Sequence, residues 1–166
     1  MNSIPAPFRI EQATPADIPL VLSFIRELAE FEHLLHEARA TDADLRETLF
    51  CDRPFAEVVI ARLGDDAVGF ALFFHNYSTF LGKPGIYLED LFVRPAYRGQ
   101  GFGELLLRHL AQLAVQRGCG RFEWSVLDWN QPAIDFYKKL GAQPLSDWTT
   151  FRVTGAALEK LGRKDG

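Results

Sequence analysis

The sequence predicts a mixed α/β domain built around one sheet. Three observations carry that expectation. Apolar β-rich runs alternate with amphipathic stretches in the order strand, two helices, hairpin, strand, helix, strand, helix, strand. The chain has 166 residues, 48% of them apolar and 24% charged, which suffices for one full core and gives a single domain over 1–166, ordered from about 8 to 161. Finally, the run Ile86–Val93 leads through a basic turn into a glycine-dense helix entry, Gly99–Gly103. Strand, bare-backbone loop and helix start in that order can hold a phosphate, because the first N–H groups of a helix have no partner inside it.

Each element has its own local reason. Phe8–Glu11 alternates apolar and polar residues and reads as a first strand. Thr14-Pro15-Ala16-Asp17 starts a helix, with Thr14 as cap, Pro15 at the first helical position and Asp17 at the positive end. Ile18, Val21, Leu22, Ile25, Leu28 and Phe31 then share one face. Thr41-Asp42-Ala43-Asp44 opens a second, shorter helix, with Leu45 and Leu49 inward. Ala56–Leu63 and Ala67–Tyr77, joined by Gly64-Asp65-Asp66, predict a hairpin. Ser78–Gly85 reads as a loop and Ile86–Val93 as a strand. A helix is predicted from about Gly101 to Arg117, stopped by Gly118. Arg121–Leu127 is the next strand, Asp128–Gln131 a loop, and Pro132–Leu140 a short helix ended by Gly141. Trp148–Val153 reads as a last strand, Thr154-Gly155 as the start of a small terminal helix, and Gly162–Gly166 as a frayed tail.

Composition narrows the function. The formal net charge is −4 and no basic block occurs, which argues against a nucleic-acid partner and suits a cationic small substrate. Cys51 and Cys119 suit reduced thiols, the N-terminal MNSIPAPFRIEQ lacks a signal-peptide pattern, and no apolar run is long enough to span a bilayer. A cytoplasmic protein without membrane partners is therefore expected. His33 and His36 have no further ligand spaced with them, so no metal is expected.

The glycine loop admits several ligands. A nucleoside-triphosphate P-loop needs Lys-Ser/Thr after its last glycine, which Gly101 lacks. The dinucleotide pattern starting at Gly99 needs glycine where Glu104 stands, although Glu123 does lie about 20 residues on, where that pattern wants an acidic residue. On the loop alone, a glycine-eased turn that holds no ligand is as good a reading.

More particular is Arg98-Gly99-Gln100-Gly101-Phe102-Gly103, which resembles the Arg/Gln-x-x-Gly-x-Gly/Ala motif of the GNAT N-acetyltransferases. Asn130, followed by Phe136-Tyr137, resembles that superfamily's second cofactor segment. Tyr87–Val93 (YLEDLFV), Val126–Gln131 (VLDWNQ), Phe136–Gln143 (FYKKLGAQ) and the acidic helix end Glu27–Glu32 are similar to the diamine acetyltransferase group, which takes in spermidine/spermine and thialysine enzymes. Ser78 stands near the place where the polyamine enzyme has an acidic residue, which tilts the acceptor toward a lysine-like or other short amine.

The resemblance implies a mostly antiparallel sheet flanked by helices, with a central strand pair splayed for coenzyme A. It implies acetyl-CoA as co-substrate, a small-molecule primary amine as acceptor, and a homodimer. Cofactor contacts would come from Leu91, Phe92, Val93, Arg98, Gly99, Gln100, Gly101, Phe102, Gly103, Glu104, Asn130, Pro132, Ala133 and Tyr137, and acceptor contacts from Phe31, Glu32, Glu89, Asp90, Glu123, Trp124 and Ser125. An alkyl ammonium, with a pKa of ~10, must lose a proton before it can attack, and the departing thiolate must gain one. Tyr137 is the implied acid, and Glu89, through water, the implied base. Asp90 is then a cation anchor or structural cap. Adjacent strand residues face opposite ways, so one of this carboxylate pair would enter the core unless a bulge or a splayed strand end re-aims it. Polyamines, protein lysine, or a non-catalytic acyl-CoA-binding module remain the alternatives.

Overall fold

The computed structural model describes residues 7–164. Compact packing divides the chain into two units, one up to Ser125 and the other from Val126. The readings of MNSIPA at the start and of the last two tail residues lie outside the described residues.

The first unit holds a five-stranded sheet in sequential order: β1 (Phe8–Gln12), β2 (Glu57–Leu63), β3 (Asp66–Ser78), β4 (Lys83–Val93) and β5 (Arg121–Trp124). The first three pairings are antiparallel, and β4 with β5 is parallel. That last pairing requires a crossover, which α3 (Phe102–Gln116) supplies.

One face of the sheet is covered by α1 (Ile18–Phe31) and α2 (Asp42–Leu49). Ile18, Val21 and Phe24 pack there against Val58, Ile60, Phe70 and Phe92, and Phe24 stacks on Phe70 at 5.1 Å. The other face receives α3. Phe102 stacks on Phe8 at 5.1 Å, and Gly103 lies over Val93 and Leu91. Both starts on the α1 side are capped as expected. Thr14 N–H donates to Asp17 Oδ2 at 2.8 Å, and Thr41 N–H donates to Asp44 Oδ2 at 2.9 Å. Pro15–Asp17 is a separate 3₁₀ turn that leads into α1.

The end of α1 closes without glycine. His33 takes a left-handed φ of 60°, its N–H donates to the Glu30 carbonyl, and Leu34 N–H reaches back to the Ala29 carbonyl at 2.7 Å. This pair of reversed bonds is the Schellman arrangement, in which the left-handed position ordinarily falls to glycine. It fixes the chain at Phe31 and Glu32.

Three expectations are corrected. The loop Ser78–Gly85 shrinks to a tight turn, because Ser78, Tyr77 and Asn76 pair with Lys83, Pro84 and Gly85. The strand expected over Arg121–Leu127 stops at Trp124, where its ladder with β4 ends. Trp148–Val153, read as a strand, forms none: its alternation suits β structure, but no neighbouring strand pairs with it, and Trp148 and Phe151 are exposed. The second unit consists instead of α4 (Gln131–Lys139), an irregular stretch, and α5 (Gly155–Gly162). Among the described residues no helix is long and apolar enough to cross a membrane.

Candidate active site

The site is built around a change of partner along β4. Over Gly85–Leu88 this strand pairs with β5, and the last pair is Leu88 with Trp124. Beyond it, Glu89–Val93 continue on β3 alone. Five residues of β4 therefore present a backbone edge that β5 leaves uncovered. Leu91, Phe92 and Val93 lie on that edge. Phe92 is only 4% exposed, so its contribution to a ligand is limited to backbone.

A bulge sits where β5 departs. Phe73 lies opposite Leu88 and Leu72 opposite Asp90, so Glu89 is an extra residue with no partner on β3. Its consequence is a change of phase. Before the bulge Leu88 shares the face of Phe73; after it Leu91 and Val93 turn to α3, while Asp90 and Phe92 share the α1 face with Leu72 and Phe70. Without the extra residue, Asp90 would follow Ile86 and Leu88 toward the α3-side core.

The two carboxylates therefore have different surroundings. Glu89 is exposed, whereas Asp90 is half-buried. Burial, and after it the negative charges of Glu89 and Glu32, together push the Asp90 carboxyl up to about 6. Glu32, at the end of α1, is itself raised by burial. Glu32, Glu89 and Asp90 thus form one acidic group. At the adjoining fork, the Tyr87 hydroxyl and Ser125 Oγ lie 2.8 Å apart, a link between β4 and the residue after β5 that sequence reasoning missed. Glu123 pairs with Arg121, and Ser78, 6% exposed, accepts the Leu81 N–H of the β3–β4 turn at 3.3 Å.

At the start of α3, Gly99 and Gly101 have φ of 77° and 85°, and a Cβ built on either would meet nothing within 4 Å. Both conformations favour glycine, and the approach is open. Gly101 is the N-cap and no side chain caps the helix, so the first N–H groups of Phe102, Gly103 and Glu104 are left for a ligand. Phe102 can offer only backbone, its ring being 2% exposed. The Glu104 carboxylate is tied to Arg108 Nε at 2.8 Å, which partly neutralises an anion beside this entry. Gln100 is exposed in the turn. Arg98 donates from Nε to the Val93 carbonyl at 2.9 Å, and its guanidinium lies over the rings of Phe31 and Phe92.

In the second unit, Asn130 caps α4 and accepts the Ala133 N–H on Oδ1 at 3.4 Å, while Pro132 occupies the first turn, where a missing N–H costs nothing. The Asn130 amide donors remain outside that bond. Tyr137 is half-buried beside Phe136, and burial raises its phenol above the usual range. It therefore stays protonated at neutral pH, as a proton donor must. Among the described residues no group of three or more His, Cys, Asp or Glu is arranged to hold a metal.

A model of the acetyltransferase (GNAT) family matches residues 23–142. The chain belongs to that family. It is 38% identical to L-ornithine N5-acetyltransferase NATA1 of Arabidopsis thaliana, with 93% of this chain and 88% of that protein covered. It is 39% identical to the thialysine N-epsilon-acetyltransferase of Mus musculus, with 92% and 96% covered. Among solved structures, an integron cassette protein from Vibrio cholerae superposes with a TM-score of 0.80 at 27% identity, covering 95% of this chain and 98% of that one. The protein is an N-acetyltransferase, and its five-stranded, mostly antiparallel sheet is the fold of these relatives.

Proposed function

We propose that this acetyltransferase moves acetyl from acetyl-CoA to the side-chain amine of a small, lysine- or ornithine-like molecule. The observation that carries the proposal is the acidic group Glu32, Glu89 and Asp90 beside an uncovered strand edge. The acidic group attracts an ammonium ion, and a carboxyl near 6 is a far better acceptor for its proton than an ordinary aspartate while still being mostly ionised at neutral pH. In this reading Asp90 takes the proton, and the exposed Glu89 draws the amine in and relays protons to water. The free amine attacks the thioester carbonyl, the C–S bond breaks, and the Tyr137 hydroxyl protonates the departing thiolate. A strand-edge N–H among Leu91–Val93 polarises the carbonyl. Arg98–Glu104 hold the pyrophosphate by backbone N–H and guanidinium. Asn130, Pro132 and Ala133 with Tyr137 form the second cofactor segment, and Phe31, Glu123, Trp124 and Ser125 line the acceptor side. The two compact units act as one domain, a reading the family match across both supports.

The names of the relatives support an amino-acid acceptor, since ornithine and thialysine both carry a side-chain primary amine. The acidic group also suits a polyamine, which is the second reading. Exposed Tyr77, Phe80 and Leu81 at the β3–β4 turn support a homodimer, and a cytoplasmic location fits the two free thiols.

Acetyl-CoA titration followed by rates on thialysine, lysine, ornithine, spermidine and putrescine tests the proposal. Saturable acetyl-CoA binding with the amino acids ranked first is expected. Absence of binding refutes the activity, and spermidine leading by a wide kcat/KM margin refutes the acceptor class. Tyr137→Phe is expected to lower kcat by about 10²-fold or more and change acetyl-CoA affinity by less than about threefold.

A further inference from the structure

Arg98 belongs by sequence to the pyrophosphate loop, yet its guanidinium is held by residues outside that loop. Its central carbon lies 4.6 Å from the centroid of the Phe31 ring and 5.3 Å from that of Phe92. Its Nε is fixed on the Val93 carbonyl at 2.9 Å. No carboxylate pairs with it among the described residues, and its two terminal nitrogens donate to no protein acceptor there. One edge of the guanidinium is thus anchored, its face lies on aromatic carbon, and its remaining donors are uncommitted, on the residue that directly precedes Gly99–Gly103 in the chain. A flexible arginine would lose side-chain freedom on gripping an anion; this one has already lost it.

Of the two rings, Phe92 is core and fixed by the sheet. Phe31 differs. It is the last residue of α1, it is 42% exposed, and a side chain this exposed contributes little to the core. It directly precedes Glu32, whose charge acts on Asp90. The left-handed turn at His33 fixes where both residues sit.

We propose that Phe31 is a positioning residue for acetyl-CoA: its ring holds the Arg98 guanidinium ready for the pyrophosphate and so ties the acceptor end of α1 to the cofactor loop. This rests on the acetyl-CoA reading above. It gives Phe31 a task beyond walling the acceptor pocket. It also means that the amine and the cofactor sense each other through one aromatic contact, and coupling of this kind is reciprocal.

The test is calorimetric titration of acetyl-CoA into the full chain, with no amine present. Wild type must bind; if it does not, the acetyl-CoA reading fails, and that failure is separate from this one. Phe31→Leu keeps an apolar side chain but loses the ring face, and is expected to weaken acetyl-CoA binding about two- to fivefold, the range of an exposed cation–π contact. Phe31→Tyr keeps the face and is expected to bind within about twofold of wild type. Arg98→Lys keeps the charge but not the flat, anchored fork. In the Arg98→Lys background, Phe31→Leu is expected to change affinity by less than about twofold. The proposal is overturned if Phe31→Leu binds acetyl-CoA as wild type does. It is equally overturned if Phe31→Tyr weakens binding as much as Phe31→Leu, or if the two single effects simply multiply in the double variant. Thermal midpoints of all variants separate a loss of fold from a loss of positioning.

Discussion

The two halves of β4 have nearly the same composition of strand-forming residues and opposite uses. From Gly85 to Leu88 the strand is paired on both sides, and Gly85, Ile86 and Leu88 are buried. From Glu89 to Val93 it is paired with β3 alone. The first half has its backbone groups satisfied and its side chains in the core, and it stabilises the sheet. The second half leaves an unpaired edge and, through one extra residue, turns a carboxylate into an apolar setting. Both features cost stability, and both serve the thioester and the ammonium ion of the proposed reaction.

Substitutions on either side of Leu88 should therefore fail differently. The largest effect is expected at Asp90. Asp90→Asn should lower kcat/KM about 10²-fold or more, with Glu89→Gln lowering it less than about tenfold. Steady-state rates on the preferred amine check this, and equal losses at the two positions would remove the distinction between them.

The same Asp90→Asn change should make the protein more stable. The folded carboxyl binds its proton more tightly, near 6, than an ordinary aspartate at 3.8. Stability therefore falls as pH rises through that window, because the folded state holds the extra proton. Removing the charge is expected to restore up to about 3 kcal/mol at pH 7.5, read by urea denaturation. A loss of stability instead would mean that the charge is paired.

In the doubly paired half, Gly85→Ala should cost about 1–3 kcal/mol and leave the pH dependence of the surviving activity unchanged. A Cβ there would stand 2.4 Å from Asn76 Oδ1 and 2.9 Å from Arg121 Cγ. Smallest is the cap of α1. His33→Gly should add about 1 kcal/mol, by relieving the left-handed turn beside Phe31 and Glu32. Thermal unfolding checks both.

What was legible in the sequence was local. The glycine entry to α3, the Thr14 and Thr41 caps and the interior faces of α1 and α3 follow from neighbours a few residues apart. The need for a bulge or a splayed strand end near Glu89-Asp90 was legible too, since period two cannot place both side chains well, and the structure has the bulge. Its phase was not, because which carboxylate turns inward depends on the register with β3, a pairing between distant segments. The same reason explains Trp148–Val153, which alternates like a strand but has no partner among the described residues, and the β3–β4 turn, where pairing absorbed four of the eight residues read as a loop. The grip of Phe31 on Arg98 joins residues far apart in the chain, and no spacing rule announces it.

In the proposed mechanism the re-aimed carboxylate, Asp90, accepts the amine's proton. The pH dependence of kcat/KM for wild type, Asp90→Asn and Glu89→Gln tests it most directly. Wild type should lose activity on the acid side with an apparent pKa near 6, Glu89→Gln should keep that limb displaced to lower pH because one of the charges that raise Asp90 is gone, and Asp90→Asn should lose it. A limb that persists in Asp90→Asn and vanishes in Glu89→Gln would make Glu89 the base instead.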